Sequence, residues 1–238
     1  MAEPITNISL IQLSIIFIPV CLVIRLLYSW SLDWKNAIYA MARMLLQLLL
    51  IGYCLTYIFE SENAIVTIGI LTIMIFAASW IALRIIPLKR HSIYQYVFIS
   101  IFVGGSLTLM LVTQFVLNLN PWFLPEYMIP LAGMIFASSM NGVSLAAERL
   151  HSEIDRGGTY FSSRGIALRT ALIPITNSLF AVGLVSLPGM MTGQIISGVS
   201  PLIAVRYQIM VMCMLYSAVG ISTALFLYLI KSQIKAEQ

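Results

Sequence analysis

Charge is scarce in this chain. Asp, Glu, Lys and Arg make up 9% of its 238 residues, while 60% are hydrophobic and the mean hydropathy is +0.96. Soluble domains carry about 25% charged residues, so a globule covered by water is excluded. Cysteine is nearly absent too. Cys21, Cys54 and Cys213 lie far apart inside apolar runs, which gives neither a disulfide framework nor metal-ligand spacing. Histidine is limited to His91 and His151, in polar stretches, with no Cys or carboxylate expected to join either as a ligand pair. A Ser-His hydrolase site is therefore not expected. A Gly-rich phosphate loop ending in Gly-Lys-Ser/Thr is also missing, so the chain offers no site for ATP hydrolysis. Before the first apolar run there is Glu3 but no Lys or Arg, so that run reads as a retained span rather than a cleaved signal. No internal repeat and no soluble domain is evident.

Long apolar runs are what the chain has instead. Ile8–Tyr28, Ile38–Phe59, Ala64–Leu83, Ile93–Leu117 and Tyr127–Ala147 are each long enough, as helices, to cross a hydrocarbon core of about 30 Å. Lipid cannot satisfy free backbone groups, so each span is expected to be helical. The stretch Thr170–Val205 holds 36 residues without a charge. As one helix it would extend about 54 Å, too long for a single crossing. Pro188-Gly189 interrupts it. The expected solution is span six at Ala171–Leu187, an irregular segment at Pro188–Val205, and span seven at Tyr207–Ile230. The predicted fold is all-α: one polytopic domain over residues 1–238 with about seven transmembrane helices.

Basic residues orient these spans. With the N-terminus outside, the inner side collects 12 of the 13 Lys and Arg residues, and the outer side keeps only Arg206. Lys and Arg near span ends favour the cytosolic side, so N-out and C-in is expected. The net charge of +4 follows from that retention and does not indicate a nucleic-acid partner. The most charged stretch is 148–169, read as an inner loop, with seven charged residues in 22 positions. Its first reading is a solvated loop, and its sharper reading is a docking helix along the membrane surface.

A few residues inside or beside the spans are candidates for a solute path. Arg43 and Gln47 stand four residues apart on one face of span two. Snorkelling or interhelical bonding is the first reading of Arg43, and substrate contact the second. Arg206 is the only charge in the 61 residues from Thr170 to Ile230, so it requires an interface or a water-filled cavity. Small residues recur at four-residue spacing, as in Gly133/Ala137, Ser138/Gly142 and Gly189/Gly193, a pattern that lets helices approach closely. Beside Pro188 the last pair reads as unwound backbone, which would offer Met190, Met191, Thr192 and Gln194 to a passing solute. Asn141 is a further candidate in span five.

The run LVSLPGMMTGQIISGVSPLIAVRYQIM, Leu184–Met210, resembles the signature of the iron-export ABC permease family, whose plant relatives are associated with aluminium tolerance. ARMLLQLLLIGYCLTYIF at Ala42–Phe59 and IPLAGMIFASSMNGVSLAAERL at Ile129–Leu150 agree in order and spacing, so the likeness covers nearly the whole chain. The resemblance implies a cell-membrane permease subunit that forms a homodimer and couples to a separate ABC ATPase. ATP and Mg would reside on that partner, with no cofactor on this chain. It also implies that the charged stretch before span six couples to the ATPase, which makes Glu148, Arg149, Glu153, Asp155 and Arg156 candidate contacts. Where the family typically has a Leu-Gly-Ala element, this chain reads Asp155-Arg156-Gly157-Gly158. Family members are linked to metal-ion export or resistance, and some plant pairs to nucleotide-sugar movement. Two rival classes remain: an ATPase-independent carrier or channel, which would need an intramembrane acid, and a membrane-embedded enzyme. All nine Asp and Glu residues lie in loops or at span ends, which counts against the carrier.

Overall fold

The structure is a computed structural model that describes residues 8–60, 63–84 and 90–233. It separates into two units, residues 1–61 and 62–238. Among the described residues no β-strand forms, and six helical stretches are long and apolar enough to cross a membrane.

The first unit is a helical hairpin. A capping box at Ser9 and Gln12 starts α1 (Leu10–Ile15), which runs into α2 (Phe17–Ser29). Ser31 adopts a positive φ of 57° to reverse the chain, and the Asp33 carboxylate accepts the Asn36 N–H at the start of α3 (Trp34–Phe59). Tyr28 meets Trp34 edge-on at 5.6 Å, which closes the turn. Apolar side chains such as Leu46, Leu49 and Tyr53 are exposed along α3, as suits a helix whose solvent is lipid.

The second unit is a bundle built around one long helix. It comprises α4 (Ala64–Ala82), α5 (Arg90–Met110) with a π-helical extension at Leu111–Val116, α6 (Pro125–Asp155), α7 (Tyr160–Ala181), α8 (Gly189–Ile196) and α9 (Pro201–Leu229). The central element is α6, which packs on α4, α5, α7 and α9. Its buried residues Met128, Leu131, Ile135, Ser139, Gly142, Ala146 and Leu150 recur every three to four positions and form one continuous face. Lipid supplies little hydrophobic drive between helices, so close packing and interhelical hydrogen bonds hold the bundle. A Cβ on Gly142 would lie 2.7 Å from the Val219 side chain, and one on Gly105 2.7 Å from the Phe136 ring. The Ser222 hydroxyl donates to Ser139 Oγ at 3.1 Å, Ser139 donates to the Ala218 carbonyl at 3.3 Å, and Ser144 donates to the Ala82 carbonyl at 2.8 Å. Such bonds average about 0.6 kcal/mol each in a membrane bundle.

Long-range hydrogen bonds align the two ends of this unit. At one end Gln233 donates to the Tyr96 hydroxyl at 3.0 Å and the Tyr160 hydroxyl donates to the Leu227 carbonyl. At the other end Thr67 donates to the Phe123 carbonyl at 3.1 Å. Arg149, Arg156, Arg164 and Lys231 gather toward the first end, while Glu126 and Arg206 lie toward the second.

Three sequence expectations change. The stretch 148–169 is helical for most of its length, since α6 continues to Asp155 and α7 begins at Tyr160. The intervening corner is a Schellman-type close. Gly157 N–H donates to the Ile154 carbonyl at 2.8 Å and Gly158 N–H to the Glu153 carbonyl at 2.9 Å, with Gly157 at φ +87°. Span six shifts toward the N-terminus: α7 stops at Ala181 rather than Leu187, because Gly183 at φ +84° and the isolated Val182–Ser186 bridge turn the chain out of the helix. The segment Pro188–Val205 is mostly regular, not irregular. Pro188 precedes α8, where its fixed φ suits a helix start and its missing N–H is not needed, and Pro201 opens α9 in the same way. By length and composition α7 falls outside the six apolar stretches, because Arg164, Arg169, Thr170, Thr176, Asn177 and Ser178 lie within it.

Candidate functional site

In the second unit a cavity of about 480 Å³ opens among α6, α7, α8 and α9. One face of α6 supplies Met134, Ser138, Asn141, Gly142 and Leu145, at spacings of three and four residues. From α7 come Ala171, Pro174, Ile175 and Ser178. Ser186, Pro188, Gly189 and Met190 enter from the turn and the first residues of α8, and α9 adds Gln208, Val211, Met212, Leu215 and Val219. Volume and lining match a small-molecule site: largely apolar, with a few convergent polar groups.

Those polar groups are all neutral. Gln208 is 6% exposed, and its Oε1 is fully enclosed with no hydrogen-bond partner among the described residues. The Ser178 hydroxyl donates to the Pro174 carbonyl at 3.0 Å, which leaves its oxygen free to accept. Three thioethers, Met134, Met190 and Met212, supply adaptable walls. None of the lining residues is charged. Among the described residues no group of three His, Cys, Asp or Glu is placed to hold a metal ion.

The sequence-derived candidates divide sharply on this geometry. Met190 and Asn141 line the cavity. Met191 and Thr192 lie on α8 outside its lining, and the Thr192 hydroxyl is committed to the Pro188 carbonyl at 3.0 Å. Gln194 is half-buried with an unpartnered Oε1, but it does not line the cavity either. Arg206 is exposed near the start of α9. Arg43 and Gln47 belong to the first unit, where Arg43 is half-buried and Gln47 exposed on α3. The pair Gly189/Gly193 faces open space, so it brings no helix close. Sequence reasoning missed Gln208, Ser138 and Ser178. For Gln208 a signal existed: it is an amide inside a long apolar helix, two residues past Arg206.

A second constellation sits at the α6–α7 corner. Glu153 accepts from Arg149 at 2.7 Å and from Arg156 at 3.5 Å, so three of the five coupling candidates form one cluster. His151 pairs with Asp155 at 3.3 Å, four residues away on the same helix, which corrects the expectation that it stands apart from any carboxylate. Glu148 is exposed one turn earlier. Beside the corner Arg164 and Lys231 each lie 5.0 Å from the Phe161 ring. The result is a compact, charged and exposed tip.

Comparison with known proteins extends the picture. Residues 9–234 match the family described as "Uncharacterised protein family (UPF0014)". The chain is 34% identical over 244 residues to the "Probable iron export permease protein FetB" of Escherichia coli (strain K12), covering 94% of this chain and 90% of that protein. It is 36% identical over 203 residues to the "UPF0014 membrane protein slr1647" of Synechocystis, covering 78% of each. To the "Protein ALUMINUM SENSITIVE 3" of Arabidopsis thaliana it is 34% identical over 229 residues, covering 88% of this chain and 81% of that protein. No solved structure matches.

Proposed function

The chain belongs to the UPF0014 family of multi-pass membrane proteins, and on that premise we propose that it is the permease subunit of an ABC transporter that exports a metal ion, iron foremost. The observation that carries this reading is the likeness to the iron export permease over 94% of the chain. The family match also takes in every helix around the cavity. The chain acts as a non-enzymatic subunit, and a separate ATPase binds ATP and Mg, because no phosphate loop exists here to do so.

Orientation is N-out and C-in with seven crossings, α7 counted as one of them. Support comes from the Lys and Arg asymmetry and from the basic end of the second unit. The ATPase docks at that end on the α6–α7 corner, where the Asp155 and Arg156 side chains are 61% and 67% exposed and a hydrogen-bonded Gly-Gly turn joins the two helices. A second copy of the chain completes the transporter. Support for the dimer lies on α7, where exposed Arg169 and Asn177 and half-buried Thr176 occur on one surface of a helix too polar to face lipid.

The decisive experiment is transport. Inside-out vesicles containing the chain and its ATPase should accumulate iron when ATP and Mg are supplied, and vesicles lacking either subunit should not. Accumulation without the ATPase would turn the assignment to an independent carrier.

A further inference from the structure

The cargo form is a question the cavity can answer. Resting on the permease reading, we propose that the cavity among α6, α7, α8 and α9 takes its cargo as an uncharged complex or neutral polar solute that hydrogen-bonds to side-chain amides, and not as a bare metal cation.

Three observations meet here. First, among the described residues none that lines the wall is charged, so a divalent or trivalent ion would enter a low-dielectric space with no side-chain charge to offset its lost hydration. Hard iron prefers anionic oxygen ligands, whereas this cavity offers amides, hydroxyls and thioethers. A neighbouring cavity of about 320 Å³ shares Met134 and Met190 and includes Glu126, but one carboxylate does not make a multivalent ion site. Second, the volume of about 480 Å³ is far larger than a single ion needs and suits a small organic molecule or a chelate. Third, the cavity is lined by two neutral amides, Asn141 and the 94% buried Gln208, and a side-chain amide both donates and accepts hydrogen bonds. Hydroxyl or amide groups on a neutral cargo are the complement of such a lining.

The geometry gives the cargo an orientation. Gln208 on α9 and Asn141 on α6 each bring an amide to the same cavity. Met134, Met190 and Met212 then close on the apolar remainder, with side chains flexible enough to adapt to its outline. A metal cargo would arrive with its charge already cancelled by its own chelating ligands, so no bond to the metal needs to form or break in the protein.

Equilibrium dialysis of the purified chain with its ATPase tests this. The probes are radio-iron as hydrated ferrous ion and radio-iron as neutral tris(acetohydroxamato)iron(III), whose N–H groups face outward. The complex should be retained saturably, and Gln208→Leu should weaken it about tenfold, as expected for one lost buried hydrogen bond. Ferrous ion should show no retention that depends on Gln208. Asn141→Leu, at an exposed position, gives the same weakening in a variant whose folding is not at risk. Retention of ferrous ion that Gln208→Leu abolishes would overturn the proposal, and so would failure of the complex to bind or its indifference to both substitutions. The permease reading fails separately, through the absence of any ATP-dependent iron movement in the vesicle assay.

Discussion

Glycine 142 shows how much of this bundle depends on a single missing side chain. Its Cβ would sit 2.7 Å from Val219 and 2.9 Å from the Thr223 hydroxyl, both on α9. Overpacking of this kind typically costs about 1–3 kcal/mol. Gly142→Val should therefore lower the unfolding temperature of the detergent-solubilised chain, while Gly69→Ala, with nothing within 4 Å, should leave it within experimental scatter. Equal unfolding temperatures for the two would mean that α6 and α9 do not pack as described. The four-residue spacing of Ser138 and Gly142 was readable in the sequence, and Gly142 does meet a neighbouring helix. The same spacing at Gly189 and Gly193 has no neighbour. A spacing rule specifies a face but does not say what lies opposite it.

At the scale of elements the α6–α7 corner is the most informative. Gly157 at φ +87° occupies a backbone region that costs an ordinary residue about 1–2 kcal/mol, so Gly157→Val should weaken the corner and lower stability. Charge at the tip is a separate matter. Exposed pairs contribute about 0.2–1 kcal/mol, so the double change Asp155→Lys with Arg156→Glu should leave folding intact while inverting the surface offered to the ATPase. We expect normal membrane abundance, reduced co-purification of the ATPase and loss of transport-linked hydrolysis. Unaltered co-purification and hydrolysis would remove this corner from the coupling path. Glu153 is the wrong residue for such a test, because it is held between Arg149 and Arg156 and its reversal would disturb the fold as well.

For the molecule as a whole, orientation and assembly are the quantities to measure. In a background with Cys21, Cys54 and Cys213 replaced by Ser, a membrane-impermeant maleimide applied to intact cells should label Glu126→Cys and not Arg156→Cys. The two lie toward opposite ends of the second unit, so the reverse pattern would invert the proposed topology. In the same background Asn177→Cys should form a disulfide-linked dimer on mild oxidation, whereas Tyr228→Cys, exposed on α9, should not. Dimers from both positions or from neither would remove α7 as the interface. Polar residues inside a membrane need protein or water beside them, and Asn177 is exposed on a helix unlike its six apolar companions.

The sequence by itself determined the class of this protein. Long apolar runs can satisfy their backbones in lipid only as helices, so an all-α polytopic bundle followed from composition and run length alone. Family membership was equally legible, carried by three blocks of residues whose order needs no coordinates. Most of the span limits lay close to the helices observed, because hydropathy changes sharply where those helices end. Tertiary structure decided the rest. The charged stretch 148–169 reads as a loop by polarity, yet it is helix on both sides of a four-residue corner, since a helix satisfies its own backbone whether water or lipid surrounds it. The cavity was only half legible. Asn141, Met190 and Gln208 are separated by 49 and 18 positions in sequence, and only the packing of α6, α8 and α9 around one space brings them together. Residues far apart in the chain become one site through contacts that no local pattern encodes.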